Sequence, residues 1–147
     1  MKEALSISIG SSKRDKSVFI KLLGQEVHIR RVGTNGDMQA ARKMYREQDG
    51  KVNAFGVGGT DLGLLVDEKW YPLHSVSSLV QDVYQTPVVD GCGLKNTLET
   101  QSAHVLDKEI GDYLDKIGRK GLVMTAVDRY GLLRPFVDAG YEGIFGD

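Results

Sequence analysis

The sequence predicts an α/β fold, a three-layer Rossmann-like domain with a mostly parallel sheet and antiparallel hairpins in its front half. Three observations predict it. Short apolar stretches of strand character alternate with stretches of helical periodicity along the 147 residues. Several of those strands run into glycine-rich polar turns, and many of the 18 glycines fall there. The last part, Gly121 to Asp147, follows the plan of a βαβ unit: strand, turn, helix ending in glycine, strand.

Taken in order, Ala4 to Ile9 reads as the first strand, ending in Gly10-Ser11-Ser12-Lys13-Arg14-Asp15, a turn rich in hydroxyls and cations. Val18 to Leu23 and Glu26 to Val32 flank Gly24-Gln25 and predict a hairpin. Asp37 is a good N-cap for a helix from Met38 to Gln48, with Met38, Ala41 and Tyr45 on one stripe, and Asp49-Gly50 stops it. Val52 to Val57 is a core strand followed by Gly58-Gly59-Thr60-Asp61. Leu62 to Val66 and Lys69 to Leu73 flank Asp67-Glu68 as a second hairpin, and Ser75 is placed to cap a helix through Tyr84.

Pro87-Val88-Val89 is a short strand, and Asp90-Gly91-Cys92-Gly93-Leu94-Lys95-Asn96-Thr97 turns it into a helix from Thr97 to Leu106. A further helical piece runs from Asp107 through Ile117, weakened by Gly111. Gly121 to Val127 reads as a buried strand, Leu132 to Ala139 as a helix with Pro135 near its first turn, and Tyr141 to Phe145 as the last strand. The length suits one domain, residues 1–147, and the final strand stops where a βαβ unit would continue, as expected of the N-terminal part of a longer protein.

Composition narrows the function classes. Hydrophobic residues are 41% and charged residues 27%, ordinary for a globular protein. The net charge of −1 gives no general attraction to nucleic acid or to acidic membranes. No apolar run approaches the roughly 20 residues of a membrane helix. The start has no signal-peptide pattern and the single Cys92 forms no internal disulfide, so a cytoplasmic location is the expectation. Three histidines and one cysteine have no metal-ligand spacing.

The candidate site follows from the turns. In a parallel sheet the carboxyl ends of the strands share an edge, where glycines expose backbone N–H groups to an anion. Ser11, Ser12, Lys13, Gly58, Gly59, Thr60, Gly91, Gly93, Asn96, Thr97 and Asp128 are the candidate ligand contacts. Lys95 is the best-placed catalytic cation, with Asp90 or Asp61 to handle a proton. Gly58 to Asp61 and Gly91 to Thr97 are expected side by side, with Lys95 facing a shared crevice. Asp147 stands about 20 residues after the last turn, where nucleotide-binding folds place a ribose-binding acid. The turn itself, Ala126-Val127-Asp128-Arg129-Tyr130-Gly131, lacks the dinucleotide glycines. Gly91-x-Gly93-x-Lys95-x-Thr97 lacks the spacing of the NTPase loop.

Val57 to Leu62, Val89 to Glu99 and Ala126 to Gly131 together resemble the bacterial family labelled quinate 5-dehydrogenase, over the whole of this chain and the front half of those proteins. The resemblance implies NAD- or NADP-dependent oxidation of a cyclic polyol acid, with a lysine and an aspartate at the carbon that loses hydride. It implies Lys95 with Asp90 or Asp61 in that role, and Ser11, Ser12 and Lys13 on the substrate's carboxylate. The alternatives are a non-catalytic domain that binds a small phosphorylated or carboxylated ligand, and a domain that packs on a second domain or another subunit.

Overall fold

In the computed structural model, which describes residues 1–146, the chain folds into two compact units. Asp147, the candidate ribose-binding acid, lies outside the described residues. The first unit comprises Met1–Leu62 and Pro72–Gly91, the second Gly63–Tyr71 and Cys92–Asp147.

The first unit holds strands β1 (Lys2–Ser8), β2 (Lys16–Leu22), β3 (Gln25–Gly33), β4 (Ala54–Gly58) and β7 (Val88–Val89) in one sheet, ordered β2-β3-β1-β4-β7. β1 lies parallel to β3 and β4, and β4 lies parallel to β7. Only β2 is antiparallel, to β3. The expected hairpin forms with its turn one residue earlier than Gly24-Gln25: Leu23 and Gly24 have φ of 47° and 80°, the two left-handed residues of a tight turn that matches strand twist. Helix α1 (Met38–Gln48) has the expected bounds. Asp37 caps it, accepting from Ala40 N–H at 2.9 Å, and Gly50 at φ 76° follows its end. Helix α2 (His74–Ser77) is one turn followed by irregular chain, where a helix through Tyr84 was expected. The Asp49 carboxylate holds that chain, accepting from the N–H groups of Tyr84, Gln85 and Thr86. With its donors used outside a helical ladder, the segment does not continue as a helix.

Alternation along β1 and β4 sends Leu5, Ile7, Phe55 and Val57 to one face. There they pack with Ala41 and Tyr45 of α1 and with Val76 and Leu79 around α2. Met38, the third residue of the expected stripe, is exposed. On the other face Ala4, Ser6, Ala54 and Gly56 are only half-buried. The expected three-layer Rossmann-like architecture is therefore corrected to a mixed α/β fold with the helices of this unit on one face. The reason is the β1-to-β3 connection. It is built from the 3-10 turn Ser12–Arg14 and edge strand β2, so no crossover helix covers the second face.

The second unit contains the hairpin of β5 (Gly63–Val66) and β6 (Lys69–Pro72), turning on Asp67 and Glu68 with φ of 46° and 64°. It also contains α3 (Cys92–Lys95), a 3-10 turn Glu99–Gln101, and α4 (Ser102–Ile117), kinked at Ile110 beside Gly111. A further sheet of β8 (Lys120–Val123) and β9 (Glu142–Phe145), joined by α5 (Tyr130–Asp138), completes it. The helix expected from Thr97 starts at Ser102 instead, because Thr97 and Thr100 turn their hydroxyls onto the carbonyls of Gly93 and Thr97. β8 and β9 are parallel, as a βαβ plan requires. The expected burial of Gly121 to Val127 is corrected: pairing ends at Val123, and Leu122 and Ile144 are exposed on a sheet of only two strands. α5 begins two residues early, which puts Pro135 inside the helix.

Candidate anion site

In the first unit the chain passes from β1 to β3 on one side and then returns to β4 on the other. The strand order thus reverses between β1 and β4, and the crevice beyond their carboxyl ends is where open α/β sheets take ligands. The loops there are tightly built. Ser8, 1% exposed, accepts at its Oγ from Gly10 N–H at 3.1 Å and from Arg31 Nη2 at 2.9 Å. Arg31 Nη1 donates to Asp15 Oδ1 at 2.8 Å and to the Ser11 carbonyl at 3.0 Å. Asp15 Oδ1 also accepts from Gly33 N–H at 2.7 Å. These bonds fix the loop after β1 against the end of β3.

The serines of that loop serve its scaffold. Ser11 Oγ accepts from Lys13 N–H, and Ser12 bonds to the Asn35 side chain through both its N–H and its hydroxyl. The loop from β4 comes close: a Cβ on Gly58 would stand 2.8 Å from Ser8 Cβ, and one on Gly59 would stand 3.2 Å from Gly10 N. Gly59 has φ 79°, which a side chain would strain. Thr60 donates to the Asp61 carbonyl at 3.4 Å.

Arg14 is a free cation of this loop. It is exposed, and among the described residues its guanidinium has no hydrogen-bond or ion-pair partner. It nevertheless folds back over the backbone: a Cβ on Gly10 would lie 2.9 Å from Arg14 Nη2 and 3.3 Å from Arg31 Nη2. Two guanidiniums therefore stand side by side, one tied to Asp15 and one unpaired. Like charges drawn toward one small volume repel. An anion at this point turns that cost into binding energy. Arg14, Asp15 and Arg31 were not among the residues singled out in the sequence. The signal for the first two was their place in the cation-rich turn. For Arg31 it was the register, which pairs it with Ser6 two residues before Ser8.

At the next strand end, Asp90 Oδ2 accepts from Leu62 N–H at 2.8 Å, linking the turns after β4 and β7. Gly91 follows with φ 96°. The first unit thus gathers Ser11, Ser12, Lys13, Gly58, Gly59, Thr60, Asp61, Asp90 and Gly91 at strand ends of one sheet.

The remaining candidates belong to the second unit. Lys95 Nζ donates to Asp128 Oδ1 at 2.9 Å, and its side chain is only 18% exposed. Asp128 is thus a carboxylate that pairs with this lysine. Thr97 donates to the Gly93 carbonyl at 2.6 Å, and Cys92 Sγ contacts the Gly63 carbonyl at 3.6 Å. Gly131 is in close contact with the Lys95 carbonyl, where a Cβ would stand 2.7 Å away. Arg129 pairs with Glu99, whose Oε2 is buried without a partner among the described residues. The turn before α5 does not fit a dinucleotide. Ala126 and Asp128 stand where the dinucleotide fingerprint has its first two glycines, which the tight turn and the close approach of a pyrophosphate require, and Tyr130 is held to Asp67 at 2.6 Å.

Residues 3–90 match the model of a family described as Domain of unknown function (DUF8753). The chain belongs to that family. The matched span takes in the reversal between β1 and β4 and every candidate of the first unit up to Asp90, whereas Lys95 and Asp128 lie beyond it. No curated protein and no solved structure matches the chain. Among the described residues, no helix is long and apolar enough to cross a membrane.

Proposed function

We propose that this protein is a binding module for a small anion, carboxylated or phosphorylated, held at the carboxyl ends of β1 and β4. The observation that carries this reading is the convergence of Arg14 and Arg31 over Gly10. The cations there, Lys13, Arg14, Lys16 and Arg31, outnumber the one carboxylate among them, Asp15. A net charge of −1 over the whole chain favours a small ligand over a nucleic acid. A cytoplasmic setting is the matching location, supported by the single cysteine. A thermal-shift screen of inorganic phosphate, sugar phosphates and polyol acids such as quinate tests the reading. Stabilisation that grows with ligand concentration supports it, and a flat screen rejects it.

A second reading, an oxidoreductase acting on a carboxylated polyol, is favoured by the Lys95–Asp128 pair. A lysine held against a carboxylate is a suitable group for moving the proton of a hydroxyl. The Ala126 to Gly131 turn gives no dinucleotide site, so the reading rests on that pair. Incubation with quinate or shikimate and NAD or NADP, followed by absorbance of the reduced nicotinamide, tests it. No reduction with either cofactor would dismiss it.

A further inference from the structure

We infer that the anion held at Gly10 is a phosphate group in its doubly charged form and that Arg14 is the residue that reads it. This inference rests on the binding reading above and narrows it. Arg31 already has a singly charged carboxylate, that of Asp15, on its Nη1. Its Nη2 points to Ser8 Oγ and to the space over Gly10. Arg14 reaches the same space from the 3-10 turn with a guanidinium that no described residue pairs. One monoanion there would leave the excess of Lys13, Arg14 and Lys16 over Asp15 largely in place. A dianion offsets more of it. The tetrahedral oxygens of a phosphate also accept from two guanidiniums arriving from different directions, while other oxygens stay open to the exposed Lys13. Carboxylate recognition needs one planar fork, whereas Arg31 presents its Nη1 to Asp15 and its Nη2 to Ser8.

The test is calorimetric titration of the full chain with inorganic phosphate and with acetate, at equal ionic strength and a pH where phosphate is a dianion. Wild type, Arg14→Ala and Arg14→Lys are compared. The Arg14 side chain has no partner among the described residues, so the variants keep the fold. Phosphate is expected to bind at least about 10-fold more tightly than acetate. Arg14→Ala is expected to weaken phosphate about 10-fold or more, the scale of one hydrogen bond to a charged group. Arg14→Lys is expected to fall between, because it keeps the charge and loses the fork. Acetate binding as tightly as phosphate would overturn the inference and leave the anion-binding reading intact. Phosphate binding that ignores Arg14→Ala would also overturn it, by placing the anion elsewhere. Failure of both anions to bind would reject the broader reading as well.

Discussion

The Tyr45 hydroxyl donates to the carbonyl oxygen of Ile7 at 2.9 Å, inside the core of the first unit. It also reaches the Gly56 carbonyl at 3.1 Å, so one side chain of α1 bonds the two strands between which the sheet reverses. Tyr45 is 1% exposed, and burial raises its pKa well above the ordinary tyrosine value, so it stays a neutral donor. Its ring meets Phe55 edge to face at 5.2 Å.

Tyr45→Phe keeps that ring contact and removes the hydroxyl. A loss of about 1 kcal/mol is expected, the net worth of a hydrogen bond plus two carbonyls left with fewer donors. Urea unfolding measures it. An unchanged midpoint would show that the strands do not depend on this donor.

Gly33→Ala tests the close packing of the site loops. An added Cβ would stand 2.6 Å from the Ser11 carbonyl carbon and 2.7 Å from the Gly10 oxygen, both backbone atoms that cannot swing aside. A loss of about 1–3 kcal/mol is expected, with weaker anion binding as the loop shifts. Gly93→Ala is the control. It has open space around it and no left-handed φ, so it should be tolerated.

The Asp49 carboxyl has a lowered pKa, first because it accepts from Tyr84 N–H and then from Thr86 and Gln85. Its folded value lies below its unfolded value near 3.8, so the unfolded chain binds the extra proton. Its contribution is fully present above that value and is lost as pH falls through the lower, folded one. Melting temperatures between about pH 5 and about pH 2 should fall more steeply in wild type than in Asp49→Asn. Equal slopes would show that the loop does not draw on this charge.

Lys95→Ala separates chemistry from stability in the second unit. Asp128 is 43% exposed, so water replaces the lost partner and a stability loss of about 1 kcal/mol or less is expected. If polyol oxidation is detected in wild type, it should disappear in this variant. Retained turnover would remove Lys95 from the reaction.

The elements legible in the sequence are those whose signals are local. Asp37 and Gly50 bracket α1 where a cap and a stop were expected, because capping needs only neighbours in the chain. Both hairpins formed over Leu23-Gly24 and Asp67-Glu68, since left-handed turn residues set their own geometry. The glycine turns at strand ends were legible for the same reason. Tertiary structure decided the rest. Gly121 to Val127 has the composition of a buried strand, yet burial depends on how many strands join it, and among the described residues only β9 does. One-sided helix coverage came from the route between β1 and β3, which composition does not encode. Arg31 found Asp15 and Ser8, and Lys95 found Asp128, across separations of 16 to 33 residues. Pairings at that range follow from strand register and helix placement, because a side chain meets whichever distant group the folded backbone brings within about 3 Å of it.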